Sequence, residues 1–291
     1  MLSLRHHALT LLVRLRRFPR QMAADMAAER TNEDGPTRRQ ARRLERFAHE
    51  GRLVWVARPK AGGARGRVLH LHGGAMVYAL APPHFAFGLA LAEASGAEVW
   101  LPEYPLPPDA HAEGTVAWTD GLLDRAAADG PVVLSGDSAG AGLALAACRA
   151  RATAGRALPE RLVLLSPWAD LTMANPDLAA AQATEPLIDR RVLAEAGRRY
   201  AGELEPSDPL VSPLLGDLSG LPPTLVIGGD RDLLWPDVVR LADALRAAGV
   251  ETTLTREAGL GHYWMFYPVP EAKRTRGQVA DRMAAVFGAP E

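Results

Sequence analysis

Residues 132–146 read VVLSGDSAGAGLALA. A run of Val and Leu passes into a serine with Gly136 and Gly140 two positions to either side, then directly into helix-forming residues. That order predicts a strand, a very sharp turn and a helix. The strand and helix backbones nearly touch at such a turn, so the positions two before and two after its central residue must be small. Gly136, Gly140 and the small Ala139 meet that need. The Ser138 hydroxyl then projects from the turn, and the N–H of Ala139 faces the same space. G-x-S-x-G in this setting is the nucleophile-elbow pattern.

The surroundings of this stretch set the fold class. The segments LVWVARP, RVLHLH, AEVWLPE, PVVLSG, RLVLLSP and TLVIGG are short, Val- and Leu-rich and end in turn residues, so they read as buried strands. VETTLTRE, after Gly249, adds one more. Helical stretches fall between most of them, at 84–95, 115–129, 138–153 and 236–248, with a last one at 268–287. Alternation of this kind predicts an α/β fold, a mostly parallel twisted sheet flanked by helices. Residues 22–50 are polar and Arg-rich and read as helical pieces broken near NEDGP. Residues 170–208 break the rhythm and read as a helical insertion after a strand end.

Composition narrows the function classes. The 291 residues are 48% hydrophobic and 23% charged, which suits a globular chain with a large core. A formal net charge of -1 gives no bulk electrostatic case for a nucleic-acid partner. The single Cys148 excludes an internal disulfide framework and fits a reducing, cytoplasmic setting. No run of about 18 apolar residues exists to span a membrane. The N-terminal stretch is interrupted by Arg14, Arg16 and Arg17 and lacks a small-residue cleavage site, so it does not read as a secretory signal. It reads as a basic amphipathic helix with Leu4, Leu11, Leu12, Leu15 and Phe18 on one face. Packing on the body of the protein is the plain expectation; a membrane-surface helix is the sharper one.

An elbow serine needs a base, an acid that orients the base, and oxyanion donors. In this architecture they follow in the order serine, acid, histidine. Of the eight histidines only His262 lies far beyond Ser138, in the glycine-flanked loop GLGHYWMFYPVP. The acid should end the strand TLVIGG, where Asp230, Asp232 and Asp237 compete. Asp237 opens the next helix, a common first-turn place for a carboxylate. Asp232 is the choice and Asp230 the reserve. Donors come from HLHGGAMVY: the N–H groups of Gly73 and Gly74, with that of Ala139 as a third. His72 is expected to prop this loop.

With these pieces in place the chain resembles the α/β-hydrolase superfamily. More narrowly, it is similar to the hormone-sensitive-lipase-like carboxylesterases (bacterial family IV). HGGA, YPLPPDAH, GDSAG, LLSPWADLT, DPLVSPLLGDLSGLPPTLVIGGDRDLL and GHYWMFYPVPEA carry the resemblance, over roughly residues 52–275. It implies Asp232 as acid and His262 as base. It also implies a helical cap from residues 1–45 and 170–208 over a catalytic domain of 46–291. Ala75 replaces the usual third loop glycine, which hints at tolerance of bulky alcohol groups.

The function implied is a serine carboxylesterase for small, short-acyl esters, with no metal and no organic cofactor. Met76, Tyr78, Trp235, Tyr263 and Trp264 flank the catalytic loops and are expected to bound the substrate pocket. The other readings are an amide or lactone hydrolase on the same triad, and a non-catalytic ligand receptor on the same fold. The expected partner is a small-molecule ester, with no nucleic acid and no integral membrane segment. A homodimer is left open.

Overall fold

The computed structural model describes residues 2–3, 5, 18–32 and 34–288. The proposed apolar face of Leu4, Leu11, Leu12 and Leu15 lies outside them. Chain order among the described residues begins with helices α1 (Phe18–Ala27) and α2 (Arg38–Ala41). Strands β1 (Leu44–His49), β2 (Arg52–Ala57) and β3 (Arg67–Leu71) follow, then α3 (Pro82–Ser95) and β4 (Glu98–Pro102). Next come α4 (Ala112–Ala127), β5 (Val132–Asp137), α5 (Ala139–Thr153) and β6 (Arg161–Leu165). The insertion carries α6 (Leu178–Gln182) and α7 (Arg190–Ala201). The chain then runs through β7 (Thr224–Gly229), α8 (Trp235–Ala247), β8 (Thr252–Glu257) and α9 (Pro270–Ala284).

The strands form an 8-stranded sheet in the order β1-β2-β4-β3-β5-β6-β7-β8. From β4 to β8 all neighbours are parallel; β2 runs antiparallel to both β1 and β4. Alternation along the strands separates two cores. Leu69, Leu71, Leu134, Leu164 and Val226 face α4, α5 and α8. Val68, Val133, Val163, Leu165 and Ile227 face α3 and α9. Both faces are covered, which is why these strands read as continuous apolar runs.

One strand departs from the sequence reading. Residues 44–49, which lie within the segment expected to be helical, form the edge strand β1, paired with β2 from Leu44↔Ala57 to His49↔Arg52. Its sequence, LERFAH, buries none of its residues fully, so no apolar alternation marks it. The sheet therefore begins at Leu44, inside the segment assigned to the N-terminal cap helices.

The insertion and the N-terminal segment meet. The Arg199 guanidinium on α7 donates to the Met26 carbonyl at the end of α1. Met22 and Met26 are buried, and Tyr78 donates its hydroxyl proton to Asp25 Oδ2 at 2.7 Å. These contacts fix α1 against both α7 and the loop that follows β3.

Candidate active site

β5 ends at Asp137, and Ser138 takes φ 51°, ψ -117°, a conformation rare for a residue with a side chain. The surroundings hold it there. Its N–H donates to the Leu165 carbonyl at 2.9 Å, and its own carbonyl accepts from Trp168 N at 3.0 Å and Ala141 N at 3.1 Å. A β-carbon on Gly136 would overlap the backbone of Gly140, and one on Gly140 would overlap the Leu71 carbonyl. Both glycines are therefore needed for close approach, as the sequence argument required.

The C-terminal ends of β5, β7 and the loop after β8 converge on Ser138. His262 Nε2 stands 3.0 Å from Ser138 Oγ, and His262 Nδ1 stands 2.8 Å from Asp232 Oδ2. Ser138, Asp232 and His262 are all buried. The carboxylate can only accept, so Nδ1 carries the proton and Nε2 is left to accept from the serine hydroxyl. Burial disfavours the imidazolium, but the Asp232 charge and hydrogen bond, with the Glu185 and Asp137 charges, together outweigh it and raise the His262 pKa above 6.5.

The competing carboxylates have other partners. Asp230 accepts from the Arg256 guanidinium at 2.6 Å and from Gly259 N at 2.6 Å, bracing the base of the histidine loop. Asp237 sits in the first turn of α8, bonded to Asn175 at 2.7 Å and to Arg240 at 2.5 Å. Asp232 also caps its own turn by accepting from Leu234 N at 2.9 Å. Cys148 is buried in α5, and burial pushes its thiol up to about 12, which leaves it unreactive.

Gly73 lies directly against the serine: a β-carbon there would stand 3.1 Å from Ser138 Cβ. Gly74 has φ +128°, and Ala75 and Met76 follow at φ 57° and 58°. Among the described residues, the N–H groups of Gly73, Gly74 and Ala139 have no hydrogen-bond acceptor. His72 Nδ1 stands 2.7 Å from the Gly73 carbonyl, and its ring stacks on Tyr104. Burial, aided by the neighbouring His84, pushes His72 down to about 3, so the ring is neutral and its Nδ1–H pins the glycine loop.

The five residues expected to bound the pocket have different surroundings. Met76 lines a cleft of about 930 Å³ together with Met26, Tyr104, Pro107 and Arg199. Tyr78 is committed to Asp25, and Trp235 packs on the Gly228 face of β7. Tyr263 bonds His84 Nε2 at 3.2 Å and stacks on Phe266. Trp264 is not a wall residue: it is fully buried in the core beneath α9, its indole N–H donating to Thr275 Oγ1 at 3.3 Å. Tyr263, between Trp264 and His262, takes φ 67°, and the short 3-10 turn Trp264–Phe266 follows it.

Three buried groups near the serine escaped the sequence reading. His70 Nε2 stands 3.3 Å from Asp137 Oδ1 behind the elbow. His84, at the start of α3, holds Tyr263, and Glu185 from the insertion accepts from His262 N at 2.6 Å. The HLH alternation of β3 was the only local signal for the first; the other two are brought in from distant sequence. Among the described residues, no group of three or more His, Cys, Asp or Glu is placed to hold a metal ion. None of their helices is long and apolar enough to cross a membrane.

Serine, imidazole and carboxylate stand in one hydrogen-bonded line beside the C-terminal ends of parallel strands, and the sheet around them is that of an α/β hydrolase. The family model described as alpha/beta hydrolase fold matches residues 68–266, and the chain belongs to that family. An acetyl-hydrolase of Streptomyces hygroscopicus is 40% identical over 228 residues, covering 76% of this chain and 75% of the relative. An esterase of Acinetobacter venetianus is 32% identical over 221 residues, covering 74% of this chain and 73% of the relative. The solved structure of an esterase from the bacterial hormone-sensitive lipase family is similar at TM-score 0.83 and 27% identity, covering 98% of this chain and 99% of that one.

Proposed function

We propose that the chain is a serine carboxylesterase that hydrolyses small, short-acyl esters through an acyl-enzyme. The observation that carries this reading is the pair of contacts at His262, 3.0 Å to Ser138 Oγ and 2.8 Å to Asp232 Oδ2. Ser138 Oγ attacks the ester carbonyl while His262 Nε2 takes the hydroxyl proton. Asp232 fixes the tautomer and stabilises the imidazolium that forms. The oxyanion is received by the N–H groups of Gly73, Gly74 and Ala139, each worth on the order of 3 kcal/mol. The imidazolium then protonates the leaving alcohol, and the acyl group stays on Ser138. Water loses its proton to His262, attacks the acyl carbonyl and releases the acid, restoring the serine.

The short-acyl preference is supported by the name of the Streptomyces relative, an acetyl-hydrolase. In this reading α1 and the 170–208 insertion form a cap, supported by the hydrogen bond from Arg199 to Met26. The lone buried Cys148 suits a reducing, cytoplasmic setting.

The test is kcat/KM over p-nitrophenyl esters from acetate to palmitate, with Ser138→Ala as the control. A maximum between roughly two and eight acyl carbons is expected, because an apolar pocket gains only about 1–3 kcal/mol per methylene before it is full. A maximum at palmitate, or activity only on anilide and lactone analogues, would overturn the short-ester reading.

A further inference from the structure

Glu185 stands in the insertion between β6 and β7, 77 residues from the histidine it touches. It is 5% exposed. One carboxylate oxygen accepts from His262 N at 2.6 Å, and the other accepts from Leu187 N at 2.7 Å. The approach is close enough to restrict the residue before the histidine: a β-carbon on Gly261 would stand 3.1 Å from Glu185 Oε2. The segment that carries the carboxylate is itself tied down. Gln182 Nε2 donates to the Ile188 carbonyl at 3.0 Å, and its oxygen accepts from Arg190 N at 2.7 Å. Thr184 Oγ1 donates to the Arg231 carbonyl at 3.3 Å, beside Asp232.

A buried carboxylate is costly unless its hydrogen bonds and charge are used. Among the described residues no Lys or Arg pairs with Glu185. Its charged neighbours are His262 and Asp232, with the Tyr267 phenol beyond them; Asp137 faces the imidazole from the side of the elbow. Burial first, and then the Asp232 charge, push its carboxyl above the usual carboxylate range, while the His262 charge and the two backbone N–H donors favour its ionised form. An arrangement that only anchored a turn would need the Leu187 bond alone. The second oxygen is directed at the backbone of the histidine that bonds Ser138.

We propose that Glu185 is a positioning residue for His262, through which the 170–208 insertion holds the imidazole on the line between Ser138 and Asp232 and adds a second negative charge beside it. This rests on the reading of Ser138, Asp232 and His262 as the reacting triad. Two consequences follow. The insertion shapes the catalytic step as well as the pocket, because the histidine loop is fully braced only when residues 182–190 are seated. The anionic neighbour also favours the imidazolium that forms as Ser138 attacks.

The experiment compares wild type, Glu185→Gln and Gln182→Ala, each checked by circular dichroism for a folded state. It reads kcat and KM on p-nitrophenyl acetate across pH, with the rate and site of labelling by a fluorophosphonate probe. Glu185→Gln keeps the size but turns an N–H₂ toward one of the two backbone N–H groups and removes the charge. Its kcat should fall by about tenfold or more through misplacement of the imidazole, with KM nearly unchanged. The acid limb of kcat/KM should move to lower pH, because the imidazolium loses an anionic neighbour. Labelling of Ser138 should slow in parallel. Gln182→Ala, which leaves Glu185 in place but loosens its segment, should shift the same readouts in the same direction by less. It carries the test if Glu185→Gln does not fold. A folded Glu185→Gln with wild-type kcat, acid limb and Ser138 labelling rate would overturn the proposal, as would a loss confined to thermal stability. Labelling of wild type at another serine would instead overturn the triad reading, so the two failures are distinguishable.

Discussion

Gly229 and Leu260 are in backbone contact: a β-carbon on Gly229 would overlap the Leu260 carbonyl oxygen. The end of β7 and the start of the histidine loop pass each other there without side chains between them. Asp232 leaves β7 just beyond this crossing, and His262 follows Leu260 by two residues, so the crossing sets the distance between acid and base. Gly229→Ala should force the loop outward. A loss of about 100-fold in kcat/KM is expected from displacement on the ångström scale, with destabilisation of about 1–3 kcal/mol from overpacking. Ester kinetics and urea unfolding measure the two effects.

The two carboxylates that follow β7 should separate by mutation. Asp232→Asn should leave the fold intact and lower kcat by about ten-thousand-fold, since the amide favours the wrong imidazole tautomer. Asp230→Asn should cost far less, because Asp230 braces Arg256 and Gly259 rather than the imidazole. A crippling Asp230→Asn beside a mild Asp232→Asn would reverse the assignment.

The pH profile has a defined sign. His262 acts as a base only when neutral, and its pKa is raised above 6.5 because Asp232, together with Glu185 and Asp137, outweighs the effect of burial. The acid limb of kcat/KM should therefore lie above pH 6.5 and move down in Asp232→Asn. A raised histidine pKa stabilises the fold below the unfolded-state value, and that gain is lost as pH rises through the folded-state value. The Tm difference between wild type and Asp232→Asn should accordingly be larger at about pH 6 than at about pH 9.

Much of this was legible because the demands were local. The elbow needs small residues at fixed offsets from Ser138, and Gly136 and Gly140 stand there in the sequence. Buried parallel strands must be apolar on both faces, so β3 to β7 announce themselves. β1 does not, because an edge strand with two half-exposed faces has no such constraint and LERFAH shows no alternation. Trp264 was misplaced for a related reason. Nearness to His262 in sequence says nothing of burial: Tyr263 between them is left-handed, and Trp264 is packed in the core. Glu185 and His84 have no local signature at all, since their roles come from contacts made only after the insertion and α3 have packed.

The contacts of α1 give a further expectation. Deleting residues 1–27 should remove Met22, Met26 and the Asp25 acceptor of Tyr78, leaving α7 and the loop after β3 exposed. Lower Tm, binding of an apolar dye and an altered acyl-length profile should follow, with the core sheet retained by circular dichroism. An unchanged profile and Tm would show that α1 plays no part in shaping the pocket.

If Ser138 is the nucleophile, covalent capture by a serine-directed reagent should fall on it alone. Wild-type protein should be treated with a fluorophosphonate probe, digested and sequenced by mass spectrometry, with Ser138→Ala in parallel. A single adduct on Ser138 is predicted, absent from Ser138→Ala, whose kcat should be lower by on the order of a million-fold. An adduct on another serine, or esterase activity that survives in Ser138→Ala, would contradict it.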